Sequence, residues 1–209
     1  MQLIGMLDSP YVRRVAISLQ LLGLPFEHRS VSVFRGFDEF KRINPVVKAP
    51  TLVCDDGTVL MDSSLIVEYA EALAAPRSLM PRSVADWPRT LRLTGLALAS
   101  YEKCAQLVYE YGLRPAEKWH APWIARVQGQ LAAAFDGIET GLSHAPLDAT
   151  TGGIDQAGVC CGVAWTFVRA MQPDLVDPAR YPRLLAHAIA CEQLPAFSRA
   201  PHGDGVVAR

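Results

Sequence analysis

Two apolar periodicities share residues 1–75, and only one of them continues beyond. Residues 2–6 form a short apolar run that predicts a strand. Val12, Val15, Ala16, Leu19 and Leu22 then recur at three- and four-residue spacing, which predicts a helix with Pro10 in its first turn and Gly23 at its close. Residues 25–31 alternate weakly and read as a second strand, interior and parallel to the first, and residues 38–43 as a short helix. Thr51-Leu52-Val53-Cys54 and Thr58-Val59-Leu60-Met61 flank Asp55-Asp56-Gly57, the pattern of a β-hairpin. Leu65, Ile66, Tyr69, Ala70 and Leu73 return to helical spacing. Two helix-linked parallel strands, an antiparallel hairpin and a closing helix make a four-stranded mixed sheet with helices on its faces, a small α/β domain.

Periodicity lapses across residues 76–84, which contain Pro76 and Pro81 and read as a linker. Residues 85–209 carry only helical patterns. A helix with Pro88 in its first turn runs to about Val108 and is predicted to present Leu91, Gly95, Leu98 and Glu102 on one face. After the break at Leu113-Arg114-Pro115, Ile124, Val127, Leu131, Phe135, Ile138 and Leu142 form a single stripe. Residues 154–171 are almost wholly apolar, as expected of the central helix of a bundle, with Asp155 as the polar exception. Pro178 and Pro182 mark helix starts, Leu194 to Phe197 reads as a short closing turn, and residues 202–209 as a frayed end.

Composition narrows the function classes. The 209 residues are 50% hydrophobic with a formal net charge of -1, so no basic surface argues for nucleic acid. No apolar stretch is suited to spanning a bilayer, and Arg13-Arg14 interrupts the first helical run, so a membrane anchor or secretory signal is not expected. The five cysteines include no C-x-x-C pair, and the histidines lack metal-ligand spacing; neither a disulfide framework nor a metal site is expected. Cys160 and Cys161 point about 100° apart on a helix and read as buried residues.

Three short pieces carry chemistry. Ser9 stands at the mouth of the first helix, where it either caps the backbone or adds a hydroxyl to a site that favours a thiolate or other anion. In Val47-Lys48-Ala49-Pro50, the proline precedes a strand and is either trans, protecting an edge, or cis, turning the preceding N–H and C=O toward a ligand. Asp62-Ser63-Ser64 opens the next helix with short polar residues suited to capping and to a carboxylate.

In this order and spacing, Ser9-Pro10-Tyr11, Asn44-Pro45-Val46-Val47-Lys48-Ala49-Pro50 and Asp62-Ser63 resemble the thioredoxin-like domain of a soluble glutathione S-transferase of bacterial type. The Trp- and Tyr-bearing helical remainder is similar to that family's second domain, so the resemblance spans nearly the whole chain. It implies an α/β thioredoxin-like domain at 1–75 followed by an all-α domain at 85–209. It implies glutathione as co-substrate and Pro50 in the cis form. Ala49 would then pair with the cysteinyl backbone, Asp62 with the γ-glutamyl ammonium and Ser63 with its carboxylate. Lys48 would either reach the glycyl carboxylate or remain solvated.

By the same resemblance Ser9 is the catalytic residue, lowering the thiol pKa by donating a hydrogen bond. Its hydroxyl, where some relatives carry Cys, argues for conjugation to a hydrophobic electrophile or peroxide reduction over thiol exchange. Tyr11, about 200° around the helix from Ser9, is the alternative donor or a lining residue. A second-substrate site is expected on the helical domain, with Tyr101, Cys104, Val108, Tyr111, Trp119 and Trp165 as candidates beside Tyr11. The resemblance further implies a cytoplasmic homodimer, with Tyr69, Arg77 and Trp87 near the seam. Two other readings remain at this point: a non-catalytic protein-binding module of the same fold, and a glutathione-dependent lyase, isomerase or dehalogenase.

Overall fold

A computed structural model describes residues 1–208, which divide into two compact units. The first comprises Met1–Met80 together with the chain from Glu192 onward, and the second Pro81–Cys191. The return of the C-terminal segment to the first unit departs from the simple order of domains along the chain.

The first unit holds β1 (Gln2–Ile4), α1 (Pro10–Leu21), β2 (Glu27–Arg29), α2 (Phe37–Ile43), β3 (Thr51–Val53), β4 (Val59–Met61) and α3 (Ser63–Ala74). The strand order is β2-β1-β3-β4, with β1 parallel to β2 and the remaining pairs antiparallel. The sheet is therefore the expected mixed one, but β2 is an edge strand and not an interior one. β1 takes the interior because both of its sides are paired: Leu3 lies opposite His28 on one and Leu52 on the other.

α1 begins and ends where the pattern places it. Pro10 occupies the first turn, and Gly23 follows the last. Gly23 has φ 73°, and its N–H donates to Gln20 O while Leu24 N–H donates to Leu19 O. These two bonds satisfy the terminal carbonyls in the left-handed closing turn that glycine adopts at little cost. Ile4, Val31 and Phe40 are buried together, and Val47, Ala49 and Val53 pack against them, so the loop before β3 rests on the sheet through apolar contact.

The C-terminal segment is not frayed. It contains α8 (Pro195–Ser198), and Arg13, only 1% exposed, anchors it from α1. Arg13 Nε donates to Ala200 O at 2.7 Å, and its two terminal nitrogens donate to both Glu192 carboxylate oxygens at 2.8 and 2.7 Å. Further along, Ser30 Oγ donates to Asp204 O and Val207 N–H to His28 Nδ1. Arg209 lies outside the described residues.

The second unit contains α4 (Trp87–Leu113), α5 (Ala121–His144), α6 (Gln156–Met171) and most of α7 (Pro182–Glu192). α4 continues well past Val108, and its buried face is rotated from the predicted one. Leu93, Ala97, Tyr101, Cys104 and Leu107 are buried, whereas Leu91 is 53% exposed. The apolar positions on α4 are numerous enough to draw more than one face, and packing against α5 and α6 selects between them. The α5 stripe from Val127 to Leu142 is buried as read. Asp155 is itself the cap of α6: it accepts from Gly158 N–H at 2.8 Å and from Thr90 Oγ at 2.9 Å. No described helix is long and apolar enough to cross a membrane.

Candidate active site

Ser9 is half-buried at the N-terminus of α1, in extended conformation. Its Oγ accepts from Val12 N–H at 3.5 Å, a long bond at the edge of effective geometry. A hydroxyl that accepts from the helix retains its own proton for donation. The first turn of α1 adds backbone N–H groups and the positive end of the helix dipole. Asp8 precedes it with a carboxyl pushed up by burial, against the opposing influence of His202 from the C-terminal segment.

The segment before β3 is held by two buried polar residues, Asn44 and Thr51. Asn44 Nδ2 donates to Thr51 Oγ at 2.8 Å, and Thr51 Oγ donates to Lys48 O at 2.7 Å. Asn44 Oδ1 also accepts from Val46 N–H, and Asn44 O from Val47 N–H. These bonds fix a short arch from Val46 to Pro50, in which the Ala49–Pro50 peptide is cis. The Ala75–Pro76 peptide is cis as well.

Among the described non-glycine residues, positive φ occurs at Val47 (52°) and Asp62 (75°). A β-branched residue in that region is costly, so tertiary contacts must impose the conformation. Both positions lie within the candidate constellation, at the arch and at the entry to α3.

Asp62 caps α3, its Oδ1 accepting from Ser64 N–H at 2.9 Å, while Oδ2 lies 3.4 Å from Lys48 Nζ. Burial pulls the Asp62 carboxyl up, but Ser64 N–H and the Lys48 ammonium outweigh it and hold the group below its ordinary range. The carboxylate therefore stays charged and available to an ammonium. Ser63 is 3% exposed, and Arg14 reaches it from α1: Nη1 donates to Ser63 Oγ at 3.1 Å and to Ser64 Oγ at 3.2 Å. Arg14, which in the sequence only interrupts an apolar run, is itself 4% exposed.

Gly5 joins these parts. It has φ 135°, and a Cβ there would stand 2.6 Å from Val12 and 3.1 Å from Ala49. Only glycine lets the backbone pass between the first turn of α1 and the arch.

Residues 3–78 match the family described as glutathione S-transferase, N-terminal domain. The E. coli K12 GST-like protein YibF is 26% identical over 173 residues, covering 83% of this chain and 85% of that one. Residues 3–78 are thus matched as a glutathione S-transferase N-terminal domain. A Drosophila melanogaster protein named as a probable maleylacetoacetate isomerase is 25% identical over 197 residues, covering 90% of this chain and 82% of its own. Among solved structures, a glutathione transferase family member from Pseudomonas fluorescens Pf-5 with bound glutathione has TM-score 0.83 at 25% identity, with 97% and 98% coverage. The two-part architecture is the glutathione S-transferase fold.

The structure brings Lys48 to Asp62, Ala49 to Gly5, and Ser63 to the helix that Ser9 opens. Pro50 is buried beside Ala49, and Tyr11 is half-buried as the second residue of α1. The candidates on the helical unit separate into two groups. Tyr101 and Cys104 have no exposed surface and Trp165 only 7%; these are core residues of the bundle. Tyr101 OH donates to Cys160 O at 2.7 Å, and Trp165 packs near Phe135. Burial pushes the Cys104 thiol to about 12, which removes it from any role as a nucleophile at neutral pH. Val108 and Tyr111 are half-buried and Trp119 is 41% exposed. Tyr111 and Trp119 pack edge to face with centroids 4.9 Å apart, and Trp119 Nε1 donates to Arg114 O.

All five cysteines are free and buried. Among the described residues, no three or more His, Cys, Asp or Glu side chains are grouped to hold a metal ion.

Proposed function

We propose that this chain is a glutathione-dependent transferase in which Ser9 stabilises the glutathione thiolate. The observation that carries the reading is the joint placement of Ser9 and Ser63: one opens α1, the other opens α3, and Arg14 ties the two helices together. Asp62 offers a charged carboxylate to the γ-glutamyl ammonium. Ser63 Oγ, already accepting from Arg14, has its proton left to donate to the γ-glutamyl carboxylate. Ala49 supplies backbone groups to the cysteinyl unit, with Pro50 shaping the arch, and Lys48 leaves its pair with Asp62 to meet the glycyl carboxylate as the γ-glutamyl ammonium takes its place.

With the tripeptide so held, its thiol is assigned to Ser9. A hydrogen bond donated to sulfur favours the ionised form, and the α1 dipole acts in the same direction. The thiolate then attacks a hydrophobic electrophile, displacing a leaving group or adding to an activated double bond, or it attacks a peroxide, breaking the O–O bond to release the alcohol and a glutathione sulfenic acid that a second glutathione converts to the disulfide and water. For the acceptor, half-buried Tyr111 and exposed Trp119, packed edge to face, are the proposed aromatic contacts.

A second reading has its own support. The Drosophila relative named as a probable maleylacetoacetate isomerase spans most of this chain, and a bound thiolate that adds to an alkene and leaves again serves isomerisation as well as conjugation. In either reading Ser9 has the same role.

Calorimetric titration with glutathione tests the placement. The wild-type chain is expected to bind, and Ser63→Ala to lose about tenfold or more in affinity, the effect of one charge-assisted hydrogen bond. Unchanged affinity in that variant would move the γ-glutamyl end elsewhere.

A further inference from the structure

His28 lies outside the constellation above, on the edge strand β2, yet both of its ring nitrogens are committed. Nδ1 accepts from Val207 N–H at 3.1 Å, and Nε2 faces Gly5 O at 2.7 Å. A backbone N–H only donates and a carbonyl only accepts, so the two partners fix the ring as neutral with its proton on Nε2. The Gly5 N–H is held by the same strand, donating to Arg29 O at 3.0 Å. Gly5 is therefore set by β2 on both of its polar groups while its α-carbon packs between Val12 and Ala49.

We infer that His28 is a positioning residue that couples docking of the C-terminal tail to the glutathione half-site through Gly5. The tail reaches His28 only because it is tied down on either side. Arg13 holds Ala200, Ser30 holds Asp204, and Ala208 N–H returns to Arg199 O. Release of Val207 frees Nδ1, and the ring can then turn away from Gly5. The passage between α1 and Ala49 loses one of its two polar restraints.

Acid acts at the same point. Protonated Nδ1 cannot accept from Val207 N–H, so the coupled arrangement belongs to the neutral ring. Burial holds the His28 imidazole below its ordinary value, against the opposing effect of its bond to Gly5 O. Docking is thus complete above the ordinary value of 6.5 and is lost as pH falls through the lowered one. On β2, Glu27 accepts from Gln2 and Arg29 pairs with Glu39, while β1 carries no charged side chain. The tail brings Asp204 and also His202, which senses Arg13, Asp8 and Glu192.

The glutathione arm of this inference rests on the function proposed above, whereas its structural arm does not. The test is NMR on the full chain, following the imidazole nitrogens of His28 and the amides of Val207 and Gly5 on acidification, with glutathione affinity measured in parallel. Above pH 6.5 the ring should show the Nε2–H tautomer. On acidification the Val207 and Gly5 signals should move together, and glutathione affinity should fall about fivefold, the effect of one hydrogen bond.

Val207→Pro removes the donor from the tail alone. It should raise the His28 titration toward its ordinary value and shift Gly5 at every pH. His28→Gln keeps a donor for Gly5 and cannot titrate, so the Gly5 shift and the affinity change should become flat across the same range. A Gly5 signal indifferent to His28 protonation, or unmoved in Val207→Pro, overturns the coupling. A wild-type chain that binds no glutathione overturns the function proposal alone, and the Gly5 and Val207 signals still decide the coupling.

Discussion

Arg14 Nη1 stands 3.1 Å from Ser63 Oγ, joining α1 to the first turn of α3 through a buried guanidinium. The bond orients Ser63 and brings positive charge beneath the proposed γ-glutamyl carboxylate. Nη1 alone donates to both Ser63 and Ser64, and Lys in place of Arg would carry its charge on a shorter stem as a compact, more strongly hydrated ammonium that is costlier to bury there. Arg14→Lys is expected to weaken glutathione binding by about tenfold, measured by calorimetry. Unaltered binding would assign Arg14 to packing alone.

Asp62 provides a pH prediction. Its folded-state pKa lies below the ordinary 3.8, because Ser64 N–H and Lys48 overcome the effect of burial. The stabilisation is therefore present above pH 3.8 and lost as pH falls through the lower folded value. Asp62→Asn keeps a capping oxygen but removes the charge, so its unfolding midpoint should lose this acid-limb dependence. Glutathione affinity should fall with it at neutral pH. Parallel pH profiles for variant and wild type would contradict the assignment.

Much of this arrangement was legible in the sequence, and the exceptions share a physical cause. The spacing of Val12 to Leu22, closed by Gly23, and the Asp55-Asp56-Gly57 turn are local signals, and each element formed where the pattern put it. The candidate residues Ser9, Lys48, Ala49, Pro50, Asp62 and Ser63 were likewise visible because short motifs carry them. What escaped depends on long-range partners. The edge position of β2 follows from β1 pairing on both sides, and the order of the C-terminal tail from Arg13, 187 residues away from its Ala200 acceptor. Arg14 and Asn44 gave no sign of their roles, because a buried polar group is understood only from the partner that satisfies it. On α4, an excess of apolar positions concealed the face that buries Tyr101 and Cys104.

The Arg13–Glu192 pair should matter for stability more than for catalysis. Arg13 is almost fully buried and bidentate, while the Glu192 side chain keeps 33% exposure. Removing the cation with Arg13→Ala should cost about 3 kcal/mol and release the tail, seen as a lower urea midpoint. A double replacement by apolar residues of similar size should recover part of that loss. A midpoint unchanged in Arg13→Ala would show that α8 and Phe197 hold the tail without it.

A two-fold homodimer is the expected assembly. Met61 on β4 and Leu65 and Leu73 on α3 leave apolar side chains exposed on the first unit, as do Trp87 and Leu91 on the second. Sedimentation at micromolar concentration should show a species of twice 22.8 kDa, and Leu65→Asp should shift it toward monomer. A 22.8 kDa species alone for the wild type would exclude the dimer.

The central claim is that Ser9 ionises the glutathione thiol by donating a hydrogen bond. The most direct measurement is the pH titration of thiolate ultraviolet absorbance for bound glutathione, in wild type and in Ser9→Ala. Binding should change little, since Ala49, Asp62 and Ser63 hold the tripeptide; the loss belongs to the chemical step. The wild-type thiol should titrate well below the free value of about 8.5, and the Ser9→Ala thiol should return most of the way toward it. A rate loss of about one to two orders of magnitude should accompany that return, with the α1 N-terminus retaining part of the effect. Superimposable titration curves for the two proteins would contradict the account and leave Ser9 as a helix cap.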